Sequence, residues 1–279
     1  MIIFLLLVRN LCYAVAMQWS SWHNHTGDGR RFSYCADADM TAEYYRQMLR
    51  AGTWHAFAIT EHAFALAIPP DEQPWPGEWY HRPDRLWNYR AFREEKTEKF
   101  LDRIGEVCDG ERIFSGLEVE IACDGSLSME SLLWPYLDVV IGSIHYLPGE
   151  KTTWCEAHIA QLDSLLRYPI DVLGHPFREL SHAGPVPDEI IDETLRRAQQ
   201  AGVAVEINAH MPFDRDPEVL KRAVDLDLQI SFGLDAHHRH ELELHTYFQQ
   251  VVDQSGVNVK DIRMYRPVRR SPKPRHLVR

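Results

Sequence analysis

Histidine and carboxylate residues recur in this chain directly after short apolar segments. His23 and His25 follow the first such segment with one residue between them, and Asp235 and His237 follow the last with the same spacing. Alternate residues of a strand project from one face, so each pair can reach a single ion. Imidazole and carboxylate donors together suit zinc, manganese or iron. A single pair is equally compatible with two surface residues, so the pattern along the rest of the chain decides.

Seven apolar segments in all carry a residue with metal-binding capacity at or near their end. They are 17–22 before His23 and His25, 56–60 before Glu61 and His62, 112–117 before Glu118, 139–144 before His145, 171–174 before His175, 203–207 around Glu206 and before Asn208, and 229–234 before Asp235 and His237. If these segments are parallel strands of a barrel, their ends meet at one mouth, where (β/α) barrels carry their chemistry. The pattern predicts a polynuclear metal hydrolase.

Helical patterns lie between the apolar segments. We predict helices over 40–51, from Asp84 onward with Trp87, Phe92, Phe100 and Ile104 inward, and over 187–201, 217–226 and 242–252. Gly52 and Gly202 are predicted to end two of them. Strand and helix alternating with little hairpin signal implies parallel pairing with right-handed crossovers. An open doubly wound sheet gives the same alternation but has its site at one switch point. Ligands after nearly every strand favour the barrel.

Composition and charge narrow the class of protein. The 279 residues are 45% hydrophobic and 25% charged, as in a soluble globular protein of one domain. A formal charge of −11 argues against a general nucleic-acid binder, although bound cations would let a phosphorylated substrate approach. The five cysteines are odd in number, scattered and without a CxxC pair. They predict a reducing, cytoplasmic location.

Three regions of the chain differ in composition. Residues 1–16 begin with an apolar run that is too short to span a bilayer and precedes Arg9, the reverse of a secretory signal. We expect a dispensable extension there, with a signal-like segment or an extra strand as alternatives. Residues 17–263 form the predicted domain, and 264–279 are a basic tail expected to be solvated. The proline-rich stretch 63–83 is either a lid or a surface insertion with aromatic anchors.

The ordered set of motifs resembles the PHP (polymerase and histidinol phosphatase) family. The motifs are His23-Asn-His-Thr26, Ile59-Thr-Glu-His62, Gly116-Leu-Glu118, Ile141-Gly-Ser-Ile-His-Tyr-Leu147, Gly174-His-Pro176, Glu206-Ile-Asn208 and Asp235-Ala-His237. The stretches 141–147 and 34–37 are similar to the histidinol-phosphatase branch in particular. The likeness extends from Trp19 to about His238. It implies a single α/β domain, a distorted seven-stranded (β/α) barrel of TIM-like type, with two or three divalent metal ions.

The resemblance also implies which residues would bind each ion. The first ion would be held by His23, His25, Glu118 and Asp235. Glu118 would bridge to a second ion, completed by His145 and His175, so Glu118 and Asp235 are the expected catalytic carboxylates.

A third ion would be bound by His62 and His237. The branch usually has histidine at the position of Asp37, and Glu61 stands where aspartate is usual. Asp37 can still bind through oxygen, with Asp28 and Asp39 as alternatives.

The chemistry of such a centre also follows from the types of residue alone, without the family resemblance. Two ions about 3.5–4 Å apart with a shared carboxylate can hold a hydroxide, because metal binding lowers the pKa of water to near 7. No serine or cysteine nucleophile is needed, and Ser143 and Cys35 receive no role. Arg178 could bind phosphate or form a surface ion pair. Glu206 and Asn208 could orient ligand imidazoles or cap the barrel rim.

Among the remaining histidines, three lie near the predicted mouth. We expect His210, His238 and His240 to be solvated loop residues, although one of them could act as the general acid toward the leaving group.

The motifs together predict a metal-dependent phosphomonoesterase acting on a small phosphorylated metabolite, with L-histidinol phosphate as the first substrate to test. The alternatives are a phosphodiesterase or nuclease on short nucleotides and a non-catalytic PHP-like domain. An amidohydrolase is more distant, because no lysine follows a strand. No long nucleic acid or membrane partner is expected, and oligomeric state is open.

Overall fold

The computed structural model describes residues 19–27, 33, 35–72, 78–109, 111–129 and 131–270. Within these ranges one sheet contains eight strands, hydrogen-bonded in the order in which they follow along the chain. Every neighbouring pair of strands is parallel. The strands are β1 (Trp19–Ser21), β2 (Trp54–His62), β3 (Ile113–Glu120), β4 (Val139–Ser143), β5 (Val172–Gly174), β6 (Ala204–Asn208), β7 (Gln229–Gly233) and β8 (Arg263–Met264).

Helices lie between the strands, as parallel connections require. The α-helices are α1 (Ala42–Ala51), α2 (Phe64–Ala67), α3 (Glu78–His81), α4 (Arg85–Asn88), α5 (Arg90–Val107), α6 (Trp154–Leu165), α7 (Arg178–Ser181), α8 (Asp188–Ala201), α9 (Asp216–Asp225) and α10 (His245–Ser255). Short 3₁₀ turns cover Pro70–Glu72, Ser131–Tyr136, Lys151–Thr153, Arg239–Glu243 and Val259–Asp261. The predicted alternation of strands and helices is confirmed.

The sheet curls until the chain after β1 pairs with the chain after β7. The amide of Asp235 donates a 2.8 Å hydrogen bond to the carbonyl of His23, and the amide of His25 donates to Ala236 at 3.1 Å. This pairing joins the first and last predicted segments directly at the expected ligands. All seven predicted strands are present. The predicted count is nevertheless too low, because β8 adds two residues beside β7 that have no apolar run of their own.

The strands are apolar because both of their faces are covered. In β4 all five residues are buried, and Val139 and Ile141 pack in the cluster opposite to the one that contains Val140. The larger cluster contains the inward faces of the helices, such as Leu195 of α8. This two-sided packing makes the sheet a rigid frame for the side chains at its carboxyl edge.

The helix ends match the sequence in part. Gly52 and Gly202 stop α1 and α8 with φ of 78° and 70°, as predicted for glycine in the left-handed region. The prediction of one long helix from Asp84 onward is wrong, because the backbone leaves helical geometry at Tyr89 and α5 begins afterwards. Trp87 is consequently 47% exposed rather than inward.

Two of the unusual regions pack onto the fold where they are described. In the stretch 63–83, the rings of Phe64 and Trp79 stack 5.7 Å apart, and buried Tyr80 donates a hydrogen bond to the carbonyl of Tyr146. These are the expected aromatic anchors, and a lid role for the stretch stays a prediction. Beyond residue 263, Tyr265 is buried and Arg270 forms an ion pair with Asp171. The predicted extension 1–16 and residues 271–279 lie outside the described part.

Within the described ranges, no helix is both long and apolar enough to cross a bilayer.

Candidate metal centre

The residues expected to bind metal meet at the carboxyl edge of the sheet. His62 and Glu118 lie within β2 and β3, and the others follow the ends of their strands. The segment after β1 is held in place by Asn24, whose side-chain amide donates to the carbonyls of Ser21 and Ala58 at 3.0 and 2.9 Å. The eight that converge are all buried: His23, His25, His62, Glu118, His145, His175, Asp235 and His237.

The first group of donors surrounds one oxygen of Glu118. Its Oε2 lies 3.3 Å from Nε2 of His23 and 3.6 Å from Nε2 of His25. Oδ1 of Asp235 lies 3.0 Å from Nε2 of His25 and 3.5 Å from Nε2 of His23. Two imidazoles and two carboxylates therefore face one point.

The second group surrounds the other oxygen of the same carboxylate. Oε1 of Glu118 lies 3.1 Å from Nε2 of His145 and 3.1 Å from Nε2 of His175. These two nitrogens are 3.4 Å apart. Glu118 thus lies between two sets of histidines and offers one oxygen to each.

A third cluster is made of imidazoles. The ring of His25 lies 4.3 Å from that of His62 and 4.5 Å from that of His237, and one donor atom of each lies within 4.8 Å of the other two. Nδ1 of His62 lies 2.9 Å from Oε1 of Glu120, a buried carboxylate. The same Nδ1 lies 2.7 Å from Oε2 of Glu118, so two buried carboxylates face this imidazole.

The donor set fits divalent cations. Nδ1 of His23 contacts Glu206, while its buried Nε2 lacks a hydrogen-bond partner among the described residues even though it faces Glu118 and Asp235. Buried polar atoms without partners are costly, and a cation at zinc–nitrogen and zinc–oxygen distances of about 2.0–2.2 Å would satisfy them. Burial lowers the pKa of His23, but Asp235, Glu206 and Glu118 raise it well above its ordinary value. The site therefore favours positive charge at this atom.

The protonation states of Glu118, Asp235 and His145 also suit metal binding. Burial opposes ionisation of Glu118 and Asp235, but the neighbouring imidazoles hold the pKa of each well below its ordinary value. Burial lowers the pKa of His145 to about 3, which leaves its imidazole neutral. Metal ligands need these forms, an ionised carboxylate and a neutral imidazole. Glu61 differs, because burial raises its pKa to about 8 and it accepts a hydrogen bond from the amide of Thr26 at 3.1 Å.

Glu206 and Asn208 lie beside the cluster, and Glu206 contacts two of its histidines. Oε1 of Glu206 lies 3.0 Å from Nδ1 of His23, and its Oε2 accepts a 2.8 Å hydrogen bond from the amide of His175. Asn208 donates to the same Oε2 at 3.0 Å. Gly233 makes room for this carboxylate, since a Cβ there would come 1.8 Å from Oε1 of Glu206.

Two of the predicted ligands have left-handed backbone. His175 has a φ of 25° and Asp235 a φ of 51°. A non-glycine residue in this region costs about 1–3 kcal/mol and occurs preferentially at functional sites. Both side chains are buried at the ends of β5 and β7.

Asp37 does not join the cluster. Its side chain is 52% exposed, and its Oδ2 lies 2.9 Å from Nδ1 of His238. Its amide is fixed by a 2.8 Å hydrogen bond to the carbonyl of His237, and the side chain extends outward from there. Among the alternatives, Asp39 forms an ion pair with Arg239, and Asp28 lies outside the described residues.

Cys35, which received no role from the sequence, is instead at the cluster. Its side chain is within hydrogen-bonding distance of the imidazoles of His62 and His237. Glu120 and Glu241 were also missed. Glu120 is two residues beyond Glu118 on a strand, so the spacing could have identified it. Glu241 accepts hydrogen bonds from the amides of His237 and His238.

A cavity of about 210 Å³ opens onto the centre. Its lining consists of Cys35, His62, His145, Arg178, His210, Asp235, His237 and His238. Nε of Arg178 is buried, lacks a hydrogen-bond partner among the described residues and lies 3.5 Å from Glu179. His210 contacts Glu241 through Nδ1. His240 stacks on His238 but does not line the cavity.

Comparison with known proteins gives relatives in sequence and in structure. The chain is 28% identical over 214 residues to a protein named probable phosphatase from Vibrio cholerae serotype O1 (strain M66-2), covering 72% of this chain and 73% of that protein. It is 26% identical over 149 residues to the DNA polymerase/3′-5′ exonuclease PolX of Bacillus subtilis (strain 168), covering 53% of this chain. The match spans only 26% of the polymerase. No family model matches the chain.

Two solved structures share the fold. Histidinol phosphate phosphatase from Lactococcus lactis, complexed with zinc, L-histidinol and phosphate, has a TM-score of 0.52 and 20% identity, covering 86% of this chain and 95% of that one. A structure described as a candidate histidinol phosphatase from Listeria monocytogenes has a TM-score of 0.53 and 13% identity, covering 82% and 99%. The resemblance predicted from the motifs is confirmed by these similarities.

Proposed function

We propose that this chain, whose likeness to the PHP family is established, is a metal-dependent phosphatase that hydrolyses a small phosphorylated metabolite. One observation carries the proposal. The two oxygens of Glu118 serve separate sets of histidines, with Oε1 3.1 Å from His145 and His175 and Oε2 3.3 Å from His23. A carboxylate shared in this way is the ligand that joins two cations in hydrolytic centres.

The donors support two ions of zinc, manganese or iron type, with a third at the imidazole cluster. When bound, such ions supply a water of lowered pKa and positive charge for phosphate oxygens. His23, His25, Glu118 and Asp235 would hold the first, and Glu118, His145 and His175 the second. The curled eight-stranded sheet is consistent with a variant of the seven-stranded barrel in which β8 is an added edge.

The chain's own residues then bind and orient the substrate. Arg178 lines the cavity beside the donors, and its fork of N–H groups can hold two oxygens of a phosphate. His210 lies at the same cavity with Nδ1 held by Glu241, so its Nε2 is the nitrogen available to give a proton to the leaving oxygen. The buried walls limit the access of bulk water.

The size of the cavity favours a small substrate. A volume of about 210 Å³ suits a phosphomonoester more than an oligonucleotide, and the formal charge of −11 disfavours long nucleic acid. A short nucleotide diester is the second candidate, because the B. subtilis relative is named as an exonuclease. L-Histidinol phosphate is the first monoester to test, because the L. lactis structure contains L-histidinol and phosphate.

The decisive experiment measures turnover and bound metal together. Metal-free protein is reconstituted in parallel with zinc, manganese and iron, and phosphate release is followed on a panel of phosphometabolites that includes L-histidinol phosphate. Bis-p-nitrophenyl phosphate reports diester cleavage. Faster hydrolysis of a monoester supports the proposal, and a preference for the diester favours the second candidate. Protein that binds metal without turning over any member of the panel would contradict both.

A further inference from the structure

A cysteine lies beside His62 and His237, the residues expected to bind a third ion, where Asp37 does not reach them. Asp37, the residue expected there, is 52% exposed and pairs with His238. Cys35, two residues earlier, is exposed at the rim of the cavity while its side chain reaches the imidazoles of His62 and His237. The loop thus turns a sulfur toward the cluster and an oxygen away from it.

The Nδ1 atoms of both histidines are engaged by oxygen atoms. Nδ1 of His237 lies 2.7 Å from the carbonyl oxygen of Asp235, to which it can donate. Nδ1 of His62 lies 2.9 Å from Oε1 of Glu120. Because both Nδ1 atoms are engaged in this way, we assign Nε2 of each ring to the contact with Cys35. Ligand imidazoles in metal sites are fixed by the same kind of contact from the opposite nitrogen.

A second observation indicates that this cluster is built for a ligand. His25 packs its ring against both His62 and His237 at 4.3 and 4.5 Å, and its buried Nδ1 lacks a hydrogen-bond partner among the described residues. Three imidazoles with donor atoms within 4.8 Å of one another are a recognisable metal-binding group before the sulfur is added. The cysteine is therefore part of a built cluster rather than an isolated thiol.

We propose that Cys35 is a metal ligand, and that its thiolate binds a third ion together with His62 and His237. An ion held by two imidazoles and one thiolate would have three protein ligands, the number found in catalytic rather than structural zinc sites. Binding breaks the S–H bond, and the proton leaves to solvent as the sulfur–metal bond forms. This deepens the proposed function, since it assigns a ligand in the same centre and rests on that function only for the neighbouring ions.

A sulfur ligand changes the preference for metal. Thiolate is a soft donor that favours zinc, cobalt or iron over manganese. Sites made only of imidazole and carboxylate, such as those around Glu118, accept manganese more readily. The third position should therefore fill with zinc and remain poorly occupied when manganese is the only metal supplied.

The test uses cobalt as a spectroscopic probe and requires no substrate. Full-length metal-free protein is titrated with Co²⁺, and the near-ultraviolet sulfur-to-cobalt charge-transfer band is recorded for wild type, Cys35→Ser, Asp37→Asn and Cys123→Ser. Cys123 is the matched control because it is also a free, exposed cysteine and does not line the cavity. We expect the band in wild type, Asp37→Asn and Cys123→Ser, and its loss in Cys35→Ser. Cys35→Ser should also bind about one equivalent of zinc less, because one of three ligands is gone.

A second measurement guards against a variant that folds poorly. Stoichiometric zinc should slow alkylation of Cys35 in the wild-type protein by about tenfold or more, because a metal-bound thiolate is a weak nucleophile, and should leave Cys123 unchanged. A wild-type protein without the cobalt band, or a band that persists in Cys35→Ser, would overturn the assignment. These outcomes are separate from the proposed function, since turnover without the band refutes only the ligand and the band without turnover refutes only the phosphatase.

Discussion

The carboxylate of Glu206 lies 3.0 Å from Nδ1 of His23, and both side chains are fully buried. The contact fixes which nitrogen of His23 faces the centre. Because Nδ1 is engaged, Nε2 is directed at Glu118 and Asp235, where the first ion would lie. The same carboxylate also accepts the amide of His175 at 2.8 Å, so one buried acid positions ligands of both proposed ions.

Glu206→Gln should weaken metal binding more than it changes the fold. The amide keeps the shape but loses the charge that orients His23, and loss of such a partner typically costs about 10–100-fold in metal affinity or activity. Competition of the metal-loaded protein with a chromophoric chelator measures the change. Glu156→Gln is the control, since Glu156 is an exposed residue of α6. Equal affinities for Glu206→Gln and wild type would show that the contact does not tune the site.

Glu118→Gln should abolish turnover while the protein stays folded. An amide offers only one good donor oxygen, so it cannot serve both His145 with His175 on one side and His23 on the other. We expect a loss well beyond the roughly 100-fold upper limit for an orienting residue. Glu120→Gln is the comparison, because Glu120 contacts His62 from behind and its loss should cost less. Turnover is measured beside bound metal and far-ultraviolet circular dichroism, and wild-type turnover in Glu118→Gln would refute the shared carboxylate.

The strands and most of the residues that converge at the centre were predictable for one physical reason. Parallel strands buried on both faces appear as continuous apolar runs, and residues after those runs must meet at one edge. His145 and His175, at the ends of β4 and β5, are examples. The local sequence pattern did not predict elements that form only through contacts with residues far away in the sequence. The two-residue β8 exists only because it pairs with Gln229 and Ile230.

The loop after the first histidines shows the limit most clearly. Sequence position favoured Asp37 as a ligand, but the hydrogen bond from its amide to the carbonyl of His237 sets the loop so that Cys35 reaches the imidazoles. That contact joins Asp37 to His237, which are far apart in the sequence. No local periodicity reports it.

Arg178→Gln should raise KM for the phosphomonoester with a smaller effect on kcat. The guanidinium lines the cavity beside the expected metal ligands, where its positive charge can attract a phosphate, although its Nε also lies 3.5 Å from Glu179. A charge-assisted hydrogen bond contributes about 1.5–3 kcal/mol, which corresponds to roughly 10–100-fold in affinity. Arg178→Lys should lie between, because a lysine keeps the charge without the fork. Steady-state kinetics with inorganic phosphate as inhibitor measure this. Arg196→Gln, on the exposed face of α8, should behave as wild type.

His158 should make the fold sensitive to acid independently of the metal centre. It is a buried residue of α6 with Nε2 3.1 Å from the hydroxyl of Thr194 in α8, and burial lowers its pKa to about 4. The unfolded chain has the ordinary pKa of about 6.5, so between these values it binds more protons than the folded protein does. The free energy of unfolding should therefore fall as pH falls through that window, by on the order of 3 kcal/mol from this residue.

Urea unfolding of metal-free wild type and His158→Gln at several pH values isolates this contribution. It is the difference between the two proteins in the slope of unfolding free energy against pH. His55→Gln, at an exposed position of β2, should retain the wild-type slope. Parallel slopes for wild type and His158→Gln would mean that the buried imidazole gains its proton in the folded state as easily as in the unfolded one.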